Sequence, residues 1–315
     1  MVSTLHALDL DGVPRPPQRT DSAAFVLHGH LSELVIETRH QDGRVRREVP
    51  GGVHDMRVNV RMLRSVLTSY RRMFVPAATR PVVEELRWFA GQLGGPRDLE
   101  VARECLSAAL DEDGDLVLRA RRSIERELAA ATFRSRNDLT RAMESVRYDR
   151  LSAALHDLVT DPPWRPLAQL SADRVLRQTV ADQWDRLLRR TSGAAESADP
   201  TTHEVALHDV RKAAKRARYA TEPLEAVYGK EARRLRRAAT RIQSALGDHQ
   251  DYVTTRAFLR GLAAQPGTTA EVAFVLGRLD AQQQARAADA EVAYDLAVRD
   301  AVRASLRSWL RTPPV

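Results

Sequence analysis

Apolar residues recur at steps of three and four along most of this chain, which is the spacing of amphipathic α-helices. Strand-like alternation is confined to very short runs, of which residues 34–38 (LVIET) fit a helix equally well. Glycine and proline residues interrupt the pattern at short intervals and mark turns. The sequence therefore predicts an all-α fold of antiparallel helices joined by short turns. The predicted helices span residues 23–39, 53–74, 79–93, 96–110, 116–135, 137–159, 172–190, 204–227, 230–246, 250–263 and 270–311, the last with a break near 285–290.

Capping and turn residues mark the expected helix ends. Ser22 can cap the first helix. Thr201 with Glu204 forms a capping box at the start of the predicted helix that ends at residue 227. Gly94 is expected to end a helix, with the next beginning at Pro96. The expected loops and turns lie at residues 42–43, 50–52 and 111–115.

The same pattern divides the chain into four parts. The first of them contains Pro14, Pro16 and Pro17 with little periodicity, as in a flexible tail or linker. Residues 191–203 contain no apolar residue other than alanine and are predicted to link two helical halves. The predicted organisation is a tail at 1–20, an N-terminal half at 21–190, a linker at 191–203 and a C-terminal half at 204–315.

A basic stretch occurs once in each half. VHDMRVNVRMLRS begins at residue 53 and LHDVRKAAKRARY at residue 207, each with basic residues three, seven and ten positions after a histidine. At about 100° per residue, these offsets fall within a stripe roughly 80° wide on a helix. Four cations on one stripe repel each other, so an anionic partner is expected. The stripes consist of His54, Arg57, Arg61 and Arg64, and of His208, Arg211, Lys215 and Arg218.

The apolar residues of the first basic helix lie next to its stripe and not opposite to it. Met56, Val60 and Leu63 fall near 180–240° on the same wheel, by roughly 100° per residue. An ordinary surface helix directs its charges away from the core. The stripes are therefore expected at the edge of a buried seam, where they line a hydrated groove or channel that holds an anion.

A second pair of landmarks repeats downstream of the stripes. Gly94 and Asp98 recur as Gly247 and Asp251 at an offset of 153 residues, against 154 for the histidines. Two landmarks in register indicate a duplication, and hence two pseudo-twofold-related bundles of about four helices around a basic central cavity. The aspartates are interpreted as helix caps or as salt-bridge partners of a stripe arginine, with metal binding the weaker interpretation.

Composition narrows the classes of function. The net charge is +7 and the pI about 10.0, which favours a polyanionic partner, while aromatic residues make up 5%. Cys105 is the single cysteine, so no intramolecular disulfide is expected and a reducing, cytoplasmic location is favoured. The sequence shows neither a secretory signal nor a membrane span. No cofactor motif is found, and no metal site is predicted.

Two other functions remain open from the residues alone. His54 and His208 could act as acid–base groups of a phosphohydrolase or phosphotransferase. Their neighbours Asp55 and Asp209 lie about 100° away on a helix, however, so neither histidine converges with its aspartate on a metal. A helical protein that reads only the backbone of nucleic acids is the other alternative, although aromatic platforms for bases are scarce.

The repeated pattern, His-x-x-Arg-x-x-x-Arg-x-x-Arg followed by Leu-Gly-x-x-x-Asp, resembles the CHAD family (conserved histidine α-helical domain). Further matches are ELRWFAGQLGGPRDLEV at 85–101, VRYDRL at 146–151, LHDVRKAAKRARYATE at 207–222 and QSALGDHQD at 243–251. The resemblance covers residues 20–310, nearly the whole chain. One departure is Met62, where the family usually has a second basic residue.

The resemblance implies two four-helix units around a basic cavity that binds inorganic polyphosphate, without enzymatic activity, at polyphosphate granules. Some members carry an upstream CYTH (triphosphate tunnel) domain, whose Glu-x-Glu-x-Lys signature is absent from this sequence. The resemblance also implies a CYTH-type or other phosphate-processing domain as a partner, in cis or in trans. Carried over to this chain, the motif implies that the ligand-facing set is the two stripes together with Lys212. Further lining candidates are Arg97, Arg147, Arg237 and Arg241.

Overall fold

The computed structural model describes residues 16–107 and 115–311, and within them the prediction of an all-α fold is confirmed. The described residues form helices joined by short turns, with no strand. The helices are α1 (Ala23–Arg46), α2 (Gly52–Ser69), α3 (Pro76–Gln92), α4 (Gly94–Ser107), α5 (Asp115–Met143), α6 (Val146–Thr160), α7 (Ala172–Ala195), α8 (Pro200–Thr221), α9 (Glu225–Tyr228), α10 (Lys230–Ala263), α11 (Ala270–Ala301) and α12 (Ala304–Arg307).

The order of helix packing repeats along the chain. In the first half α1 packs on α2, which in turn contacts α3 and α4, and α5 packs on α4. Further along the chain α7 packs on α8, α8 on α10, and α10 on α11. The two helices that carry the basic stripes, α2 and α8, also contact each other. This contact brings the two copies of the repeated sequence together at the centre of the protein.

One apolar core runs through both halves. It extends from Ala23 in α1 to Leu310 near the end of the described chain, and Trp184 is one of its largest fully buried side chains. Tyr70, fully buried just after α2, donates a hydrogen bond to the carbonyl oxygen of Ala220 in α8. The halves thus share a core, and the position of α2 relative to α8 is fixed by packing.

A smaller apolar cluster lies at one end of the molecule. There α4 and α5 pack against the end of α10 and the beginning of α11, through residues such as Leu106, Ile124, Leu259 and Leu279. The cluster attaches α4, a helix of the N-terminal half, to the C-terminal half. This matters for function because the first turns of α4 form part of the central cavity described below.

Some helix ends follow the predicted signals. The hydroxyl of Ser22 accepts a hydrogen bond from the backbone N–H of Phe25, so Ser22 caps α1 as expected. Helix α3 ends at Gln92, next to the predicted break at Gly94. Of the predicted turn at 111–115, only Asp115 lies within the described residues, where it begins α5. Most of the N-terminal tail also lies outside the described residues.

Other predicted helix ends are wrong. Helix α1 continues to Arg46 through the expected loop at Asp42-Gly43. Helix α10 continues unbroken past Gly247, and α11 runs through 285–290 and ends at Ala301. The predicted break near residue 136 is displaced to 144–145. For Gly43 and Gly247 the reason is tertiary: a glycine costs an interior helix only about 1 kcal/mol, which packing of the helix readily offsets.

The predicted linker is largely helical. Helix α7 runs to Ala195 and α8 begins at Pro200, so only residues 196–199 connect them. The carboxylate of Asp199, and not the predicted Thr201, caps α8 by accepting from the backbone N–H of Thr202 at 2.9 Å. Pro200 fits the first helical position because its missing N–H needs no partner there. None of the described helices is both long enough and apolar enough to span a membrane.

Candidate anion-binding cavity

The first basic stripe lies at the edge of the apolar face of α2, as the sequence predicts. Met56, Val60 and Leu63 are fully buried, each with 0% exposure. Arg57 and Arg61, which lie beside them, are half-buried. Met62 falls near 80° on the same wheel, at roughly 100° per residue, and so lies outside the stripe; it packs against the apolar core.

A cavity of about 930 Å³ lies where α2 meets α8, with further walls from α1, α4 and α10. Seven arginine and lysine side chains line it, against four carboxylates, so the lining carries an excess of positive charge. Both stripes contribute to the same cavity, as expected from the duplication. The stripe residues in its lining are His54, Arg57 and Arg61 from α2, and Arg211, Lys215 and Arg218 from α8.

Three of these cations have no counter-ion in contact. Among the residues that the structure describes, none forms a hydrogen bond or ion pair with the side chains of Arg61, Arg211 or Lys215. The Nε atom of Arg211 is buried and has no hydrogen-bond acceptor. A half-buried guanidinium or ammonium group without a partner is unfavourable, because it has lost water and gained nothing in return.

The pKa values of these groups show how strongly the cavity disfavours further positive charge. The pKa of Lys215 is lowered to about 6, mainly by burial and to a smaller extent by the neighbouring charges of Arg61, Arg211 and Arg57. Burial is also the main cause that lowers the pKa of Arg61 and of Arg211, with smaller effects from adjacent arginines. Asp251 acts in the opposite direction on Lys215 and Arg211. The cavity is therefore a field of uncompensated positive charge, suited to an anion.

Other cations of the cavity are held in place by protein acceptors. Arg57 donates to Oδ1 of Asp98 at 2.9 Å and to the carbonyl oxygen of Gly94 at 3.3 Å. This pair confirms the interpretation of Asp98 as a salt-bridge partner of a stripe arginine. Arg218 donates to Glu222 at 3.2 Å and to Gln243 at 3.4 Å. These contacts orient the two arginines while leaving further donors of each guanidinium free to bind a ligand.

The repeated glycines act in different ways in the two halves. Gly94 begins α4, and its carbonyl oxygen accepts from Arg57. Gly247 is buried in the middle of α10, where a Cβ atom would lie 3.4 Å from Nη2 of Arg211 and 3.9 Å from its Nε. The Nη2–Nε edge of the Arg211 guanidinium thus lies close to the backbone of α10 at Gly247, where a side chain longer than a methyl group would displace it.

Comparison with known proteins agrees with the resemblance found in the sequence. A family model described as "CHAD domain" matches residues 29–260. The chain belongs to the CHAD domain family. Two uncharacterised proteins from two strains of Mycobacterium tuberculosis are each 33% identical to it over 282 residues, covering 87% of this chain and 52% of theirs. The chain thus spans about half the length of the curated relatives it matches.

Two solved structures share the fold. PptA from Streptomyces chartreusis superposes with a TM-score of 0.75 at 22% identity, covering 89% of this chain and 99% of that one. The crystal structure of the CHAD domain from the plant Ricinus communis gives a TM-score of 0.70 at 28% identity, covering 92% and 96% of the two chains. The all-α architecture is therefore that of CHAD domains.

Three residues of the CHAD motif lie outside the cavity lining. Arg64 is directed towards Arg87 and Arg216, whose charges lower its pKa after the larger effect of burial. Lys212 is exposed and forms an ion pair with Asp209 at 2.7 Å. His208, the third, is exposed as well. The spacing of the motif therefore predicts the stripe, but the depth of each side chain relative to the cavity decides which residues reach it.

His208 nevertheless lies close enough to the basic residues of the second stripe for their charges to affect its pKa. Its pKa is lowered by burial first, and then by the charges of Lys212, Arg211 and Lys215. Gln250, which does line the cavity, acts in the opposite direction on this pKa. His208 therefore lies next to the lining without being part of it.

Of the four further candidates, Arg97 lines the cavity, where Glu100 and Glu104 each accept from it at 3.2 Å. The other three lie elsewhere. Arg147 donates to Glu85 at 2.6 Å and stacks over the ring of Trp88. Arg237 is exposed on α10, and Arg241 pairs with Asp300 at 3.5 Å. These three residues are not part of the cavity lining.

Sequence reasoning missed several lining residues on other helices. His40 and Arg44 are one turn apart on α1, and Nη1 of Arg44 lies 2.6 Å from Oδ2 of Asp55. Residues four apart lie on the same face of a helix, and this spacing is the signal that could have identified them as further basic lining residues. Asn59 is buried on α2, and its Nδ2 has no hydrogen-bond acceptor. A single asparagine on an apolar face gives no comparable signal.

The geometry bears on both alternative functions. His54 lines the cavity and His208 does not, so the two histidines are not brought together as an acid–base pair within it. Among the lining residues, Tyr219 is the single Phe, Tyr or Trp, and it is buried at 4% exposure. The described lining therefore lacks the exposed aromatic platform that single-stranded nucleic acids use.

Proposed function

We propose that this protein binds inorganic polyphosphate in the basic cavity between α2 and α8. The observation that carries the proposal is the convergence of Arg61, Arg211 and Lys215, half-buried and without counter-ions, on one cavity. A bound polyanion would supply the missing counter-charge to both arginines and would favour the ammonium form of Lys215. Arginine is well suited to this role because its planar fork binds two phosphate oxygens together.

Polyphosphate fits this lining better than a nucleic acid does. It presents closely spaced negative charge without bases, so its recognition requires cations and no stacking surface. The lining supplies cations from four helices and also polar side chains such as Gln243 and Thr254. The cavity is half-enclosed by α2, α8 and α10, whereas a duplex would require an open, convex or grooved basic surface.

The likeness to CHAD proteins supports the same ligand, as the family resemblance implies. We accordingly propose that the protein acts in the cytoplasm at polyphosphate granules and serves as a binding module and not as an enzyme. Because the curated relatives are about twice as long, a phosphate-processing domain of the CYTH or another type is the partner we propose, in cis or in trans.

Titration calorimetry with long-chain polyphosphate, with duplex DNA as competitor, tests the ligand. We expect polyphosphate to bind at least about tenfold more tightly than DNA, with an affinity that falls steeply as salt rises, because many cations are neutralised together. Equal or tighter binding of DNA would refute the assignment. Release of phosphate in the presence of Mg²⁺ or Mn²⁺ would show that the protein also performs chemistry.

The location of the site is tested by charge reversal. The double variant Arg57→Glu/Arg211→Glu should abolish binding while circular dichroism shows unchanged helicity. Its matched control is Arg147→Glu/Arg241→Glu, which changes the net charge equally at two surface ion pairs outside the cavity. If both double variants lose affinity to the same extent, binding reflects overall charge and the cavity is not the site.

A further inference from the structure

A cluster of metal-ligating side chains lies outside the basic cavity, where the sequence predicted no metal site. It joins three helices of the C-terminal half: Glu204 comes from the first turns of α8, His249 from α10 and Glu291 from α11. None of the three lines the cavity, and the site does not depend on the proposed polyphosphate function.

His249 is the buried centre of the cluster, with 4% exposure. Its Nε2 atom lies 3.0 Å from Oε1 of Glu291 and 3.6 Å from Oε1 of Glu204. Each of the three residues offers one ligand atom, and these atoms lie within 4.8 Å of one another. A buried imidazole nitrogen that faces two carboxylates from different helices is the arrangement expected of a metal site.

The two distances from His249 to the carboxylates match those required by a tetrahedral ion. Zn²⁺ bound at about 2.0–2.1 Å by nitrogen and oxygen ligands keeps neighbouring ligand atoms about 3.3 Å apart. The two measured separations, 3.0 and 3.6 Å, lie on either side of this value. One imidazole nitrogen and two carboxylates are also a ligand set that Zn²⁺ accepts, and they leave a fourth position open to water or an anion.

His203 supports one of the carboxylates from outside. Its Nδ1 lies 3.2 Å from the carbonyl oxygen of Ala194 and must donate to it, since a carbonyl only accepts. Its Nε2 lies 3.7 Å from Oε2 of Glu291, the oxygen that does not face His249, so the contact is an ion pair of the protonated imidazole and not a hydrogen bond. A charged partner of this kind orients a ligating carboxylate, and such partners commonly affect metal affinity by about 10–100-fold.

An ion pair without metal explains the arrangement less completely. A protonated His249 has one N–H on Nε2 and can direct it at one carboxylate at a time, whereas a metal ion attracts both carboxylates together. We propose that His249, Glu204 and Glu291 bind a divalent transition-metal ion, with Zn²⁺ the ion that fits best. His203 is a positioning residue of this site.

The test uses the full chain, freed of any affinity tag and treated with a chelator. Titration with Zn²⁺ should show one site per chain, and Co²⁺ should give the intense visible absorption of a four-coordinate ion. Glu204→Gln changes an exposed residue, so it keeps the fold while removing one ligand. It should weaken Zn²⁺ binding at least about tenfold, as should Glu291→Gln, and His203→Ala should weaken it about tenfold.

The matched control is His156→Ala, which removes an exposed histidine next to an aspartate and far along the chain from the cluster. It should bind Zn²⁺ like the natural protein. The proposal is overturned if the natural chain shows no one-to-one site, if Glu204→Gln and Glu291→Gln bind as well as His156→Ala does, or if Co²⁺ gives only the weak absorption of a six-coordinate ion.

Discussion

Arg57 and Asp98 form an ion pair across the wall of the central cavity, with 2.9 Å between Nη1 and Oδ1. The pair connects the first basic helix, α2, to the first turns of α4, a helix whose other end packs against the C-terminal half. The carboxylate is 59% exposed and the arginine 23%. Asp98 therefore places a negative charge at the margin of a site proposed to bind an anion.

Asp98→Asn should strengthen the binding of polyphosphate. The change removes a repelling charge and frees Arg57 to bind phosphate, while the lost ion pair is too exposed to contribute much to stability. We expect an affinity gain of about two- to fivefold at low salt, which fades as salt rises. Calorimetry at two salt concentrations measures both effects.

The control for this variant is Asp138→Asn, which neutralises a carboxylate paired with Arg141 on α5, outside the cavity lining. It should leave the affinity almost unchanged. A loss of affinity in Asp98→Asn alone would mean that the aspartate is needed to position Arg57, and that its repulsion of the ligand matters less than this positioning.

Gly247 is predicted to be essential for the position of Arg211. Gly247→Leu should push the guanidinium away from α10 and weaken polyphosphate binding about tenfold, because a Cβ alone would already lie 3.4 Å from Nη2. Leucine has a higher helix propensity than glycine, so the helix itself should not be weakened. Binding and thermal unfolding are measured on the same preparation.

Gly261→Leu is the matched control, since Gly261 lies on the same helix with nothing within 4 Å of a Cβ. It should bind polyphosphate normally. Gly247→Ala places an ordinary contact at 3.4 Å and should also be tolerated. Equal binding by the two leucine variants would show that Arg211 does not depend on the close approach to α10.

Much of the fold could be predicted because its signals are local. The periodicity of apolar residues identified the helices, and the position of Met56 beside Arg57 placed the stripe at the edge of the core. The course of α10 could not be predicted in this way. Gly94 and Gly247 look alike in sequence, yet Gly94 begins a helix with nothing within 4 Å of a Cβ, whereas Gly247 is buried within a helix and lies against Arg211 of α8.

The candidate site, too, could be predicted from the sequence only in part. Spacing placed Arg61 and Arg64 on one stripe, but their distance from α8 and α10 is a tertiary property, and Arg64 is directed towards Arg87 and Arg216 instead. His40 and Arg44 were missed because they lie on α1, outside the repeated stretch. A motif identifies which helix faces the cavity, whereas packing decides how far each side chain reaches into it.

Arg61 and Arg64 therefore form a matched pair of positions. Their variants test whether binding depends on lining the cavity or on belonging to the motif. Arg61→Gln should weaken polyphosphate binding about tenfold, and Arg64→Gln should change it less than threefold, since Arg61 alone of the two lines the cavity. Arg61→Gln should also raise the free energy of unfolding by about 1 kcal/mol, because it removes a half-buried, unpaired charge. Equal losses of affinity would extend the site to Arg64.

Lys215 makes both stability and binding depend on pH. Its pKa in the folded protein is about 6, far below the ordinary lysine value, through burial and the charges of Arg61, Arg211 and Arg57. Between pH 6 and the ordinary value of about 10.4, the unfolded chain holds a proton that the folded one has lost. The contribution of Lys215 to the free energy of unfolding should therefore rise with pH across this range, and Lys215→Met should flatten the rise.

Binding of polyphosphate reverses this shift, because the ligand's negative charge stabilises the ammonium form of Lys215. At pH 8 the free protein holds Lys215 mostly neutral, so binding should take up close to one proton, and affinity should increase as the pH is lowered towards 6. Calorimetry in buffers of different ionisation enthalpy counts the proton. Lys215→Arg keeps the charge permanently and should bind without this uptake. If its proton uptake equals that of the natural protein, another group, such as a cavity histidine, is the one that titrates.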